Sequence, residues 1–170
     1  YQTALKLKPE YADAHYNLGY ALAMTGKLDE GISHLRAAVR IEPNRVKNLN
    51  NLGVALVIKG NYSEAIGYLK AALKINPSDA DVHNNLGIAF KKEGEPDAAI
   101  HHFSKAVALD PRHVGALTNH GIMLMDQGQL EAARQHFARA LEIRPGYGEA
   151  RIKLEEVQKR TNEGAAPMTD

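Results

Sequence analysis

Eight histidines are the side chains best equipped for chemistry in this 170-residue chain. Imidazole can ligate a metal or carry a proton near neutral pH. Three of the eight, His34, His102 and His136, fall on a common 34-residue grid, with Tyr68 on the point between. A zinc ion needs its ligands within about 2 Å. Equivalent positions on successively packed helices stand about 8–10 Å apart. Histidines on this grid therefore do not converge on one ion, and packing or exposed polar roles are expected instead. No HxxxH pair occurs, and the adjacent His101 and His102 point to different faces of any helix. There are no cysteines, which excludes disulfides and thiolate metal sites. No glycine-rich phosphate loop or nucleophile elbow appears. No metal, cofactor or catalytic activity is expected of these residues.

A second set of polar residues keeps the same grid. Asn17, Asn51, Asn85 and Asn119 lie 34 residues apart, each inside an otherwise apolar helical stretch such as HNNLGIAF from His83. Asparagine costs a helix interior roughly 0.6 kcal/mol relative to alanine, so four in register call for a reason. The amide carries both an acceptor and donors. A regular row of amides could hold the C=O and N–H groups of an extended peptide irrespective of its sequence. It could equally bond a neighbouring unit, and the two roles are compatible.

The elements that position these residues follow from the repeat. The segments HYNLGYAL, LNNLGVAL, HNNLGIAF and LTNHGIML start at His15, Leu49, His83 and Leu117, 34 residues apart. Counting from Ala12, Val46, Ala80 and Val114, positions 8 and 15 are always glycine, position 27 is always alanine and position 32 is always proline. A first helix is expected over about positions 1–14, stopped by the glycine at 15. A second helix is expected to about position 30, ended by the proline. Apolar residues at 7, 8, 10, 11 and at 20, 21, 24, 27, 28 have helical rather than strand spacing. Small residues at 8, 20 and 27 allow close helix approach. Gly31 replaces the alanine of position 20 in the first unit, so its second helix is expected to be the loosest.

At 100° per residue, positions 4, 7, 8 and 11 share one face of the first helix, the core face. Positions 2, 6, 9 and 13 lie opposite. That opposite face carries the asparagines and an apolar row: Tyr20, Val54 and Ile88 at position 9, Met24 and Ile58 at position 13, and Val57 at position 12 on its edge. Lys92 follows at position 13 of the third unit. A face that met only water would be polar, and exposed apolar patches mark partner sites.

A 34-residue period with L-G at 7–8, A at 20 and 27, a leucine or aromatic at 24 and P at 32 resembles the tetratricopeptide repeat family. The segment YQTALKLKPEYADAHYNLGYAL is similar to repeats of the O-linked N-acetylglucosamine transferase superhelix, whose lumen carries an asparagine ladder. The resemblance implies an all-α, right-handed superhelical solenoid whose first helices line a concave groove. Four repeats are expected at 12–45, 46–79, 80–113 and 114–147. They are preceded by the second helix of a truncated repeat (1–11) and followed by a capping helix (148–160) and a disordered tail (161–170). The implied function is a non-enzymatic scaffold that grips an extended peptide or helix of a partner protein in that groove. Two alternatives are the targeting arm of a glycosyltransferase whose catalytic domain lies outside this chain, and self-association through the exposed first helix, where Tyr1, Ala4, Leu5 and Leu7 lack a preceding partner. Family members that clamp chaperone carboxylates use lysine at position 5. Here that position holds Tyr16, Asn50, Asn84 and Thr118, so that clamp is absent.

Charge narrows the partner further. Twenty-one basic against 20 acidic residues leave a net charge of +1, without the basic excess that nucleic-acid binding requires. No apolar run approaches the ~20 residues of a membrane span. The chain opens on YQTALKLKPE without an initiator methionine or signal peptide and reads as a fragment. No nucleic acid and no membrane insertion are expected, and the residues leave the compartment unknown, with the cytoplasm favoured only by the lack of a signal or transmembrane segment in this fragment.

Overall fold

A computed structural model describes residues 1–164. Among the described residues there are ten helices and no strand. They are α1 (Gln2–Leu7), α2 (Ala12–Met24), α3 (Leu28–Ile41), α4 (Val46–Lys59), α5 (Tyr62–Ile75), α6 (Ala80–Glu93), α7 (Pro96–Leu109), α8 (Val114–Asp126), α9 (Leu130–Ile143) and α10 (Gly148–Gly164).

The helix ends fall where local chemistry puts them. Gly60 and Gly94 close α4 and α6 with φ of +90° and +89°, a region in which a side chain is strained. The second helices end at Ile41, Ile75, Leu109 and Ile143, each two residues before a proline of the grid. Asp79 caps α6 by accepting from the Val82 N–H at 3.0 Å, and His113 Nδ1 caps α8 by accepting from the Ala116 N–H at 3.1 Å.

Each hairpin closes on a knob and a socket. The knobs are Leu35, Leu69, Phe103 and Phe137 at position 24, of which the last three have no exposed surface. Their sockets are the glycines at position 8. A Cβ on Gly87 would lie 2.6 Å from the Phe103 ring, and one on Gly53 would lie 2.6 Å from Leu69 Cγ. The alanines at 20 and 27 in the later units (Ala65, Ala99, Ala133, Ala72, Ala106 and Ala140) are fully buried between the same helices. Burying each knob contributes about 1.5–3 kcal/mol, and the glycine is what lets the ring or leucine seat at all.

Gly31 corrects one expectation. Far from loosening the first hairpin, it brings two backbones together. A Cβ there would stand 2.7 Å from the Gly19 carbonyl oxygen and 2.8 Å from the Ala23 nitrogen. Without a methyl at the crossing, α3 settles onto the backbone of α2.

The hairpins stack in sequence. Each helix packs on its chain neighbours, and the backbones of α2, α4, α6 and α8 also approach one another in series, whereas those of the second helices stand further apart and α3 reaches α5 through the Arg36–Glu64 ion pair. The first helices thus form the inner layer of a solenoid. The last helix, α10, takes the place of a further first helix, packing on α8 and α9 through the fully buried Ala150 and Val157. It runs on through residue 164, with Thr161 Oγ1 donating to the Val157 carbonyl at 2.9 Å. The expected disorder from residue 161 is therefore corrected for 161–164, and 165–170 lie outside the described residues. Among the described residues no helix is long and apolar enough to cross a membrane.

Alanine stands at position 20 in the other three units, yet Gly31→Ala is expected to destabilise this protein. The methyl meets backbone atoms that cannot turn aside, and overpacking costs about 1–3 kcal/mol, more than the ~1 kcal/mol gained in helix propensity. A lower midpoint in thermal or urea unfolding is the expected result.

Candidate functional site

The four grid asparagines are all half-buried, and three of them form a ladder between repeats. Asn51 Nδ2 donates to the Tyr16 hydroxyl at 2.5 Å. Asn85 Nδ2 donates to Asn50 Oδ1 at 2.9 Å, and Asn119 Nδ2 to Asn84 Oδ1 at 3.0 Å. Every rung runs from position 6 of one unit to position 5 of the unit before it, 35 residues earlier. Asn17 makes no such bond within the described residues. Each rung uses one of the two N–H groups of its amide, and the carbonyl oxygens of Asn51, Asn85 and Asn119 accept no bond from the described residues. The ladder is therefore both a clip between repeats and a column of unspent acceptors, the two roles the amide chemistry allows.

Position 5 is the part that the sequence reading missed. It supplies the acceptor side of every rung. The signal was present in the doublets Asn50–Asn51 and Asn84–Asn85, which repeat on the grid. Tyr16 does the same work in the first unit. Tyr16 as a whole is 8% exposed, and the Lys47 ammonium sits 4.5 Å from its ring centroid, so α4 engages both the face and the hydroxyl of one α2 side chain. A surface ion pair adds to the α2–α4 contact, Arg45 to Asp13 at 2.5 Å. Pairs this exposed contribute about 0–1 kcal/mol, so they adjust register rather than hold the array together.

The apolar row opens into two adjoining hollows. The first, of about 180 Å³, is lined by Val54, Val57, Ile58, Asn85 and Ile88. The second, of about 30 Å³, is lined by Tyr20, Ala23, Met24, Leu35, Asn51, Val54, Ala55 and Ile58. Val54 and Ile58 wall both. Each hollow has one ladder asparagine in its lining and no charged residue. Tyr20 is 49% exposed, Met24 67% and Ile58 63%, an unusual density of exposed apolar side chains on one face.

The structure brings together Tyr20, Met24, Asn51, Val54, Val57, Ile58, Asn85 and Ile88 from the sequence-derived set. It leaves Asn17, Asn119 and the exposed Lys92 outside the two hollows. The groove face also changes character in the fourth unit. Ile122 and Met125 share its register but are buried, in a cluster with Leu124, Phe137 and Val157. The helix α10 covers that end, so the accessible apolar surface lies on α2, α4 and α6. Among the described residues no three histidine, aspartate or glutamate side chains gather to hold a metal.

Comparison with known proteins gives a consistent picture. A family model described as TPR repeat matches residues 1–26 and 53–94, and one described as tetratricopeptide repeat matches 84–148. Solved structures agree in fold. A thermophilic TPR protein of Thermus thermophilus superposes with a TM-score of 0.78 at 24% identity, covering 93% of this chain and 87% of that one. MamA from Desulfovibrio magneticus gives 0.74 at 23% identity, covering 84% and 81%. YrrB, a TPR protein described as having an unusual peptide-binding site, gives 0.71 at 22% identity, covering 95% and 83%. No curated protein sequence matches significantly.

The rungs should be measurable as pairwise coupling. In a double-mutant cycle of Asn50→Ala and Asn85→Ala, a coupling of about 0.5–1.5 kcal/mol is expected from one hydrogen bond between half-buried amides. Asn17→Ala, which breaks no rung, should leave unfolding within about 0.5 kcal/mol of wild type. Strict additivity of the Asn50 and Asn85 substitutions would show that this rung does not join the repeats.

Proposed function

This chain belongs to the tetratricopeptide repeat family, and from that premise we propose that it is a scaffold whose inner face grips an extended segment of a partner protein. Catalysis is no part of the reading. The observation that supports it best is the pairing of apolar hollow and amide on one open face. Asn51 and Asn85 each line a hollow walled by Val54 and Ile58, and each keeps a carbonyl oxygen unbonded. An extended peptide alternates side chains and backbone N–H groups along its length. Side chains of the partner would fill the hollows while its N–H groups donate to the ladder. YrrB, a TPR protein with an unusual peptide-binding site, supports the same class of partner.

Recognition of this kind draws its affinity from apolar burial, at about 25 cal/mol per Å², and its orientation from the amides. Lys92 and Asp126, both exposed and both at position 13, flank the groove and give it opposite charge toward its C-terminal end. A second reading, the targeting arm of an enzyme resembling O-linked N-acetylglucosamine transferases, draws on the run of rungs from Asn51 to Asn119. It uses the same groove, and the domain content of the natural full-length chain separates the two.

Peptides selected on the wild-type protein from a random extended library provide the test. Val54→Asp with Ile58→Asp places two carboxylates in the shared wall. It is expected to lower affinity for those peptides at least about 100-fold, the scale set by losing two buried anchors, while far-ultraviolet circular dichroism stays unchanged. Selected peptides that bind the double variant as well as wild type would overturn this reading.

A further inference from the structure

Two histidine pairs stand outside the groove. His15 Nδ1 lies 2.9 Å from His34 Nδ1, and His83 Nδ1 lies 3.0 Å from His102 Nδ1. The first member of each pair sits at position 4 on a first helix, α2 or α6, and its partner at position 23 on the second helix of the same hairpin. Each first member also reaches the linker before its repeat. His15 Nε2 is 2.9 Å from the Pro9 carbonyl, and His83 Nε2 is 3.1 Å from the Pro77 carbonyl. One pair of imidazoles thus ties three pieces of chain.

With one proton on each ring, only one arrangement satisfies all of these contacts. A carbonyl oxygen only accepts, so His15 and His83 carry their proton on Nε2 and donate it to proline. Their Nδ1 atoms are then bare. The Nδ1–H of His34 or His102 donates into them. When both rings of a pair are protonated, each Nδ1 carries an N–H and the two face each other head to head. We propose that the His15–His34 and His83–His102 pairs are acid-labile clips that hold the first and third hairpins shut at neutral pH and release them on acidification.

The surroundings favour the uncharged form. Burial, then His83, His101 and the Lys70 ammonium of α5 push the His102 imidazole down to about 4. Phe90 stacks on its ring with centroids 5.5 Å apart. Burial and His15 also lower His34, and Glu30 on the same helix opposes them in part. In the unfolded chain an imidazole takes up its proton near 6.5. The folded His102 imidazole binds fewer protons than the unfolded chain's as pH falls from about 6.5 toward about 4, and its share of the stability is lost across that window; His34 acts in the same direction. A third pair, His120–His136 with ring centroids 4.7 Å apart, shifts in the same direction. Burial and His136 bring His120 to about 4, and burial lowers His136. His120 Nδ1 is buried without a partner among the described residues, so this pair lacks the through-going bond to a linker.

The second repeat supplies the control. It holds Leu49 and Tyr68 at the same two positions, a pair without an imidazole. Transplanting it gives the variant His15→Leu, His34→Tyr, His83→Leu, His102→Tyr. Between pH 7 and pH 4.5 the thermal midpoint of wild type is expected to fall at least about 5 °C further than that of the variant, given roughly 2–4 °C per kcal/mol in a chain of this size. Equal falls would overturn the proposal. Imidazole NMR of the unaltered protein gives an independent reading. Expected are Nε2–H tautomers at His15 and His83, Nδ1–H tautomers at His34 and His102, and a His102 midpoint well below 6. A His102 midpoint at or above 6.5, or the opposite tautomers, would overturn it even if the variant failed to fold.

Discussion

Every hairpin in this molecule depends on one contact, the seating of a leucine or phenylalanine from the second helix in the gap left by a glycine on the first. A methyl on Gly53 or Gly87 would collide with the side chain that fills it. The contact fixes the distance and rotation between the two helices, because a close-packed interior has few alternative arrangements. Since it recurs every 34 residues with only leucine exchanged for phenylalanine, each hairpin is nearly a copy of the last. Stacked copies put equal positions in line. The amide column and the apolar row exist as continuous features only because that alignment holds.

The rungs act at the next level. They join units rather than helices within a unit, and they do so on the inner face. A donor at position 6 meeting an acceptor at position 5 of the preceding unit sets how closely the first helices approach there. Within each hairpin the closure is apolar at most positions and polar at position 4 of the first and third units. The molecule therefore uses one kind of contact to build a unit and another to pitch one unit against the next.

Much of this was legible in the sequence for physical reasons. A glycine that must take positive φ, a proline that must break a helix and a small residue that must sit at a crossing leave marks at fixed spacing. The helix ends and the face carrying Asn51, Val54, Ile58 and Ile88 could be read from those marks. What escaped depended on partners in space. The angle of position 5 does not reveal that Asn50 accepts from Asn85, because the bond is made across units. The histidines were considered along the grid, from unit to unit, whereas they pair within a hairpin, between positions 4 and 23. Gly31 was read as a loose point because it replaces an alanine, when the lost methyl instead permits backbone contact. The tail was expected to be disordered from residue 161, yet α10 carries on to residue 164.

The common wall of the two hollows carries a consequence for selectivity. Both compartments share Val54 and Ile58 in their linings, so under the proposed reading the volumes of two neighbouring guest side chains would be linked. A bulky group in one place would be matched best by a slender one beside it. A groove used in that way would discriminate by combination, accepting many individual residues while rejecting many pairs of them.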